Sequence, residues 1–223
     1  MAQRSVPPSS RAASKRGKSV PVKKPFPWGF AAGSAVLASL LVGVLVFAVL
    51  NTGSAAPSPL KDADKAVSGL VVAPAADLTR NHKPGLQKYA EGPPVGGDHS
   101  PIWENCAVYT KQIPNENAVH SLEHGAIWIT YNPSLPAAEV AKLAGQVTGN
   151  GYRLLSPYPG LKRNISVQAW GRQMFADNAA DPRIATFLEK FTQGPQTPER
   201  GAACSGGTTI TGTTPAEKPD AAK

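Results

Sequence analysis

The chain has 223 residues and a formal net charge of +8, enough for one folded domain with tails. Seven of its 23 basic residues (Arg4, Arg11, Lys15, Arg16, Lys18, Lys23 and Lys24) precede the first apolar run, in a stretch without a single acid. The other 16 basic and 15 acidic residues leave a nearly neutral remainder. With no basic stripe to meet phosphates, a nucleic-acid partner is excluded.

In chain order, residues 1–28 are Ser, Pro, Ala, Lys and Arg with almost no apolar content, and they predict a disordered basic tail. Residues 29–50 read GFAAGSAVLASLLVGVLVFAVL, 22 positions without a charge. At about 1.5 Å per residue such a helix spans a hydrocarbon core of roughly 30 Å, which predicts one transmembrane helix. Trp28 suits the headgroup zone, and the preceding cations place the N-terminus in the cytoplasm, where anionic lipid attracts them. A cleaved signal peptide is the competing reading, because Ser54, Ala55 and Ala56 follow. Its apolar core usually runs only about 7 to 15 residues. The expected product is a single-pass cell-membrane protein whose remaining chain is extracytoplasmic.

Residues 51–80, with Pro57, Pro59 and Pro74, predict a linker, within which Val67 to Val72 suggests a short strand. Residues 81–205 predict the folded domain. Ala126–Tyr131 is apolar, β-branched and aromatic and is closed by Asn132-Pro133, as a buried strand would be. Ser134 then suits a helix N-cap with Pro136 in the first turn. Val140, Leu143, Ala144 and Val147 recur at helical spacing, and Gly149-Asn150-Gly151 stops the helix. Tyr152–Ser156 reads as a strand, Pro157–Gly160 as a turn, and Ile165–Trp170 as an alternating strand ended by Gly171. Asp181-Pro182 opens a second helix with Ile184, Phe187, Leu188 and Phe191 as its apolar face. Residues 206–223 predict a disordered tail. The pattern predicts an α+β fold, a small mostly antiparallel sheet with helices on one face, ferredoxin-like or thioredoxin-like.

Cys106 and Cys204 are the only thiols. Outside the cytoplasm, a pair allows one intramolecular disulfide and no C-x-x-C is present for thioredoxin-type redox chemistry.

Pro93-Pro94-x-Gly96-x-x-His99, then Trp103, His120-Ser121-Leu122-Glu123-His124-Gly125, Ala169-Trp170-Gly171 and Pro198-Glu199 occur in that order. Over roughly residues 80 to 205 this resembles a bacterial, actinobacterial, membrane-anchored family known as domain of unknown function 3105. The resemblance implies an anchored extracytoplasmic domain of undefined biochemistry, with no assigned catalytic residues to carry over.

His120-x-x-Glu123-His124 also matches an inverted zinc-protease signature, which needs both histidines on a helix and the glutamate activating water. Gly125 and the strand after it leave room only for a short helix starting after Pro114 and capped by Asn115-Glu116-Asn117. A third ligand would have to come from afar, with Glu189 or Glu199 as undistinguished candidates, so a zinc hydrolase is disfavoured. Two readings then compete. One is a non-enzymatic accessory or interaction module of the cell envelope, with the membrane and envelope proteins as partners. The alternative is a metal-binding protein holding copper or zinc through His99, His120 and His124, with Glu123 and Met174 as weaker ligands and the thioether favouring Cu(I). In the packing reading, those histidines are hydrogen-bonded core residues at a strand entrance, and Trp103, Trp128 and Trp170 are core. His82 is expected to be exposed, and Asp177 and Asp181 to be loop and cap residues. No nucleotide or serine-hydrolase motif is present.

Overall fold

A computed structural model describes residues 58–220. The expected tail at 1–28 and span at 29–50 lie outside the described residues. Among the described residues no helix is long and apolar enough to cross a membrane.

The centre is strand β2 (Ile127–Tyr131), buried along its whole length. A strand covered on both faces reads as a continuous apolar run, as this one does. Five strands form one mixed sheet in the order β1-β5-β4-β2-β3, where β1 is Val71–Val72, β3 Arg153–Pro157, β4 Ile165–Ala169 and β5 Arg172–Ala176. β2 and β3 run parallel, with Ile127 opposite Arg153 and Tyr131 opposite Pro157. The other three pairings are antiparallel.

Four helices surround the sheet among the described residues: α1 (Pro59–Ala66), α2 (Asn115–Glu123), α3 (Ala137–Val147) and α4 (Pro182–Phe191). Side chains alternate along a strand, and the two cores follow that alternation. Ile127, Ile129, Tyr131, Leu155, Val167 and Met174 pack with Leu143 and Val147 of α3, Ile184, Phe187 and Phe191 of α4, and Ala63 of α1. Trp128 and Leu154, on the opposite face, pack with Ala118, Val119 and Leu122 of α2. Helices on one face therefore becomes three helices on one face and α2 on the other. The α+β class stands.

Several expected boundaries shift for local reasons. Helix α3 starts at Ala137, because Asn132 Oδ1 accepts from both the backbone N–H and the hydroxyl of Ser134 and keeps that residue in a turn. Asp181 caps α4 as expected, its carboxylate accepting from Arg183 N–H at 2.9 Å. Gly171 closes the strand before it as expected, but the sheet continues beyond it. At φ +68° it turns the chain back, and β5 pairs with β4 from Arg172 opposite Ala169. The polar start of β5 conceals it, since Arg172 is buried against Asp64 at 3.1 Å.

The stretch expected as a linker is part of the fold from residue 58. Ala63 and Val67 enter the core, and β1 pairs with β5. Few apolar residues mark this helix, so its sequence resembles a spacer. The stretch expected as a disordered tail is also tied down, by polar contacts that hydropathy does not register. Thr208 N–H donates to Trp103 O, Gly212 N–H to Gln112 O, and Ala216 N–H to Asn117 Oδ1. Cys106 and Cys204 form the expected disulfide, with Cα atoms 5.4 Å apart.

Candidate metal centre

Helix α2 is nine residues long and starts after Pro114, as its sequence suggested. From Glu116 to Glu123 every residue is buried, polar ones included. His120 and Glu123, three apart, share a face of this helix. Gly125 stops it with φ +91°, and a Cβ there would come within 2.5 Å of Gln193 Nε2 and 2.7 Å of Thr197 Cγ2. Only glycine fits both the backbone and the space.

Two further histidines reach α2 from the irregular segment between β1 and α2. His99, fully buried, places Nδ1 2.7 Å from Gly97 O. His120, also buried, places Nδ1 2.7 Å from Ser100 O. A carbonyl only accepts, so in both rings Nδ1 carries the proton and donates. Each Nε2 is thereby turned inward, the arrangement that backbone carbonyls impose on metal-ligating imidazoles. His82 lies flat on His120, with ring centroids 4.6 Å apart. One ligand atom from each of His82, His99, His120 and Glu123 lies within 4.8 Å of all the others.

Glu123 Oε2 is 3.0 Å from His99 Nε2 and 3.3 Å from His82 Nε2. His99 thus has oxygen acceptors opposite both ring nitrogens, whereas a neutral imidazole has one N–H. Something positive must sit between Nε2 and Oε2, either a second proton or a cation. Ligand bonds of about 2.0–2.2 Å at tetrahedral angles set ligand atoms roughly 3.3–3.5 Å apart. The two Glu123–histidine spacings, 3.0 and 3.3 Å, lie near that range, and every other pair lies within 4.8 Å.

The charge states of His120 and Glu123 suit ligation of a cation. Burial lowers His120 to about 3, outweighing the Ser100 carbonyl, and its neighbours His124, His99 and His82 add to the effect. A neutral His120 presents a lone pair at Nε2, as metal binding requires. Burial works against ionising Glu123, but the hydrogen bonds of His99 and His82 and the charges of His99 and His120 outweigh it and hold the carboxyl below its ordinary range.

Of the three histidines singled out in the sequence, the fold brings His99 and His120 together and directs His124 elsewhere. His124 is the residue at which α2 ends, and its Nδ1 donates to Ala203 O at 2.6 Å. Its Nε2 faces Glu199 Oε2 at 3.6 Å. The ring lies beside His120, but both its nitrogens face other partners. His82 takes the third imidazole position. As expected it is exposed, with 42% of its side chain accessible, yet it joins the group. Only its position opposite His99 in a two-residue bridge reveals this, and no local spacing signals it. Met174 is fully buried in the apolar core of the sheet's opposite face. Glu189 is paired with Lys190 and Asp177 with Arg163. Trp128 and Trp170 are core, as expected. Trp103 packs its ring against His120 and His124.

A family model described as "Protein of unknown function (DUF3105)" matches residues 82–206, which include all four residues of the group. No curated protein and no solved structure matches the chain.

Proposed function

For a chain that belongs to the DUF3105 family, we propose a metal-binding module of the cell envelope that holds one divalent ion through His82, His99, His120 and Glu123. The observation that carries the reading is the convergence of three imidazoles and one carboxylate within 4.8 Å, three of the four being buried. Three neutral nitrogens and one anionic oxygen suit Zn(II) or Cu(II). Both sulfurs of the cysteine pair are consumed in the disulfide, and Met174 lies in the other core, so among the described residues no soft ligand favours Cu(I).

Four protein ligands fill a tetrahedral shell, whereas catalytic zinc keeps a position open for water. The module therefore holds its ion without turnover, as an accessory protein. The adjacency of β2 and β3, joined through α3, favours the thioredoxin-like of the two arrangements, because a ferredoxin-like sheet splits its β-α-β unit. The uncharged run at 29–50 supports a membrane anchor, and the disulfide supports an oxidising, extracytoplasmic side.

The test is metal analysis and zinc and copper titration of the full-length protein purified in detergent. One equivalent bound by wild type, and none by a His99→Ala/His120→Ala double variant, is the expected result. A wild type that carries no ion and takes up none eliminates the reading.

A further inference from the structure

The one solvent-open ligand, His82, belongs to no helix or strand, and a ligand so placed needs something to hold it. We infer that Asp98 is the positioning residue for His82, fixing the segment that carries the ligand; the inference rests on the metal reading above.

Residues 79–83 run beside Asp98 and His99. Lys83 N–H donates to His99 O at 2.7 Å, and His99 N–H donates to Asn81 O at 3.1 Å. Side chains alternate along an extended pairing, so Thr79, Asn81 and Lys83 fall on one side and His82 on the other. All three of the former converge on one carboxylate. Thr79 Oγ1 donates to Asp98 Oδ1 at 2.6 Å, Asn81 Nδ2 donates to the same oxygen at 2.8 Å, and Lys83 Nζ donates to Oδ2. The Asp98 carbonyl is held as well, by the Tyr89 hydroxyl at 2.7 Å.

On the far side of the same pairing, His82 faces Glu123 and His99 faces Gly97 O and Glu123. Asp98 thus sits next to one ligand in sequence and grips the segment of another through three side chains. It touches no ligand atom of the group. Its three donors serve only to set where residues 79–83 lie. An isolated exposed ion pair such as Lys83–Asp98 contributes little to stability. Three donors on one carboxylate form a fixed anchor.

The test measures the zinc dissociation constant of the full-length protein in detergent for wild type, Asp98→Asn, His82→Ala and the double variant. Asp98→Asn is expected to weaken zinc binding by roughly 10- to 100-fold, the usual range for losing an orienting partner. In the His82→Ala background the same substitution is expected to change affinity less than about twofold, because Asp98 then has no ligand left to position and the two losses are not additive. Bound Co(II) in Asp98→Asn should also lose the intense visible bands of a tetrahedral site. Lys83→Met and Thr79→Val, which remove donors from the other side of the anchor, should weaken zinc in the same direction and guard against a misfolded Asp98 variant. Equal zinc affinity in wild type and Asp98→Asn overturns the inference, as does an equal loss in both backgrounds. A wild type that binds no zinc overturns the metal reading itself, which is a different result.

Discussion

His82 lies stacked on His120 with ring planes 12° from parallel and centroids 4.6 Å apart. Two imidazolium ions in that position would repel, and burial already keeps the proton off His120. The stack brings a neutral buried ring against an exposed one, both reaching Glu123 and His99 from different segments of the chain. Metal bound at this junction would clamp the irregular segment onto α2.

That coupling predicts stabilisation by the ion. A ligand that binds only the folded state, present at a hundredfold excess over its dissociation constant, adds about 2.7 kcal/mol. Zinc should raise the melting temperature of wild type and leave that of His99→Ala unchanged. A rise of equal size in both would show that zinc acts elsewhere.

His124 offers the sharpest contrast with the four. Its Nδ1 bonds Ala203 O and its Nε2 faces Glu199. His124→Gln should therefore keep zinc affinity within about twofold. It should also destabilise the protein by at most about 1.5 kcal/mol, the usual net contribution of one partly buried hydrogen bond. Zinc titration and denaturant melts of the same sample check both halves. Loss of zinc in His124→Gln, with His82→Ala unaffected, would restore the trio suggested by the sequence.

How far the sequence revealed these features depends on where each signal resides. Strand β2 and helix α4 were legible because their apolar residues are consecutive or at helical spacing, and Asp181-Pro182 marks a cap. His120 was legible, paired with His124, because a helix puts positions four apart on one face, with Glu123 beside them as a weaker candidate. His124 misled for the same reason, since it has the spacing but stands where the helix ends, and a carbonyl 79 residues away takes its proton. His82, α1 and the segment after Thr208 were hidden because non-local contacts hold them: a bridge to His99, the Asp64–Arg172 pair, and Asn117 reaching Ala216.

The disulfide closes a separation of 98 residues, and the chain-entropy estimate for a loop of about that size is roughly 4.7 kcal/mol. A Cys106→Ser/Cys204→Ser variant should lose stability by about 2–5 kcal/mol in denaturant melts. None of the four ligands comes from the Cys204 side of the loop, so the variant should still bind one zinc wherever it remains folded. A folded variant that binds no zinc would show that the bridge shapes the centre directly.

Glu104 supplies a pH dependence opposite in sign to that of the histidines. Its side chain is fully buried, close to the Tyr109 hydroxyl. Burial raises it to about 8, outweighing the Tyr109 hydroxyl, which lowers it, and the charge of Asp220 adds to the rise. The folded state therefore keeps a proton that the unfolded chain releases near its ordinary value of 4.5. Between those values the folded state binds more protons, so stability falls as pH rises, by at most about 1.4 kcal/mol per unit. His120 acts in the opposite direction and lower down. Neutral when folded and protonated when unfolded, it contributes stability that declines as pH falls from 6.5 toward 3. The interval from about pH 7 to 8 separates the two, because His120, with an unfolded value of 6.5, is then largely neutral in both states. In that interval wild type should lose stability with rising pH, and Glu104→Gln, which keeps the shape without the proton, should show a flatter profile. Denaturant melts of the metal-free protein at several pH values measure both slopes, and parallel profiles for the two proteins would show that Glu104 is not the titrating group.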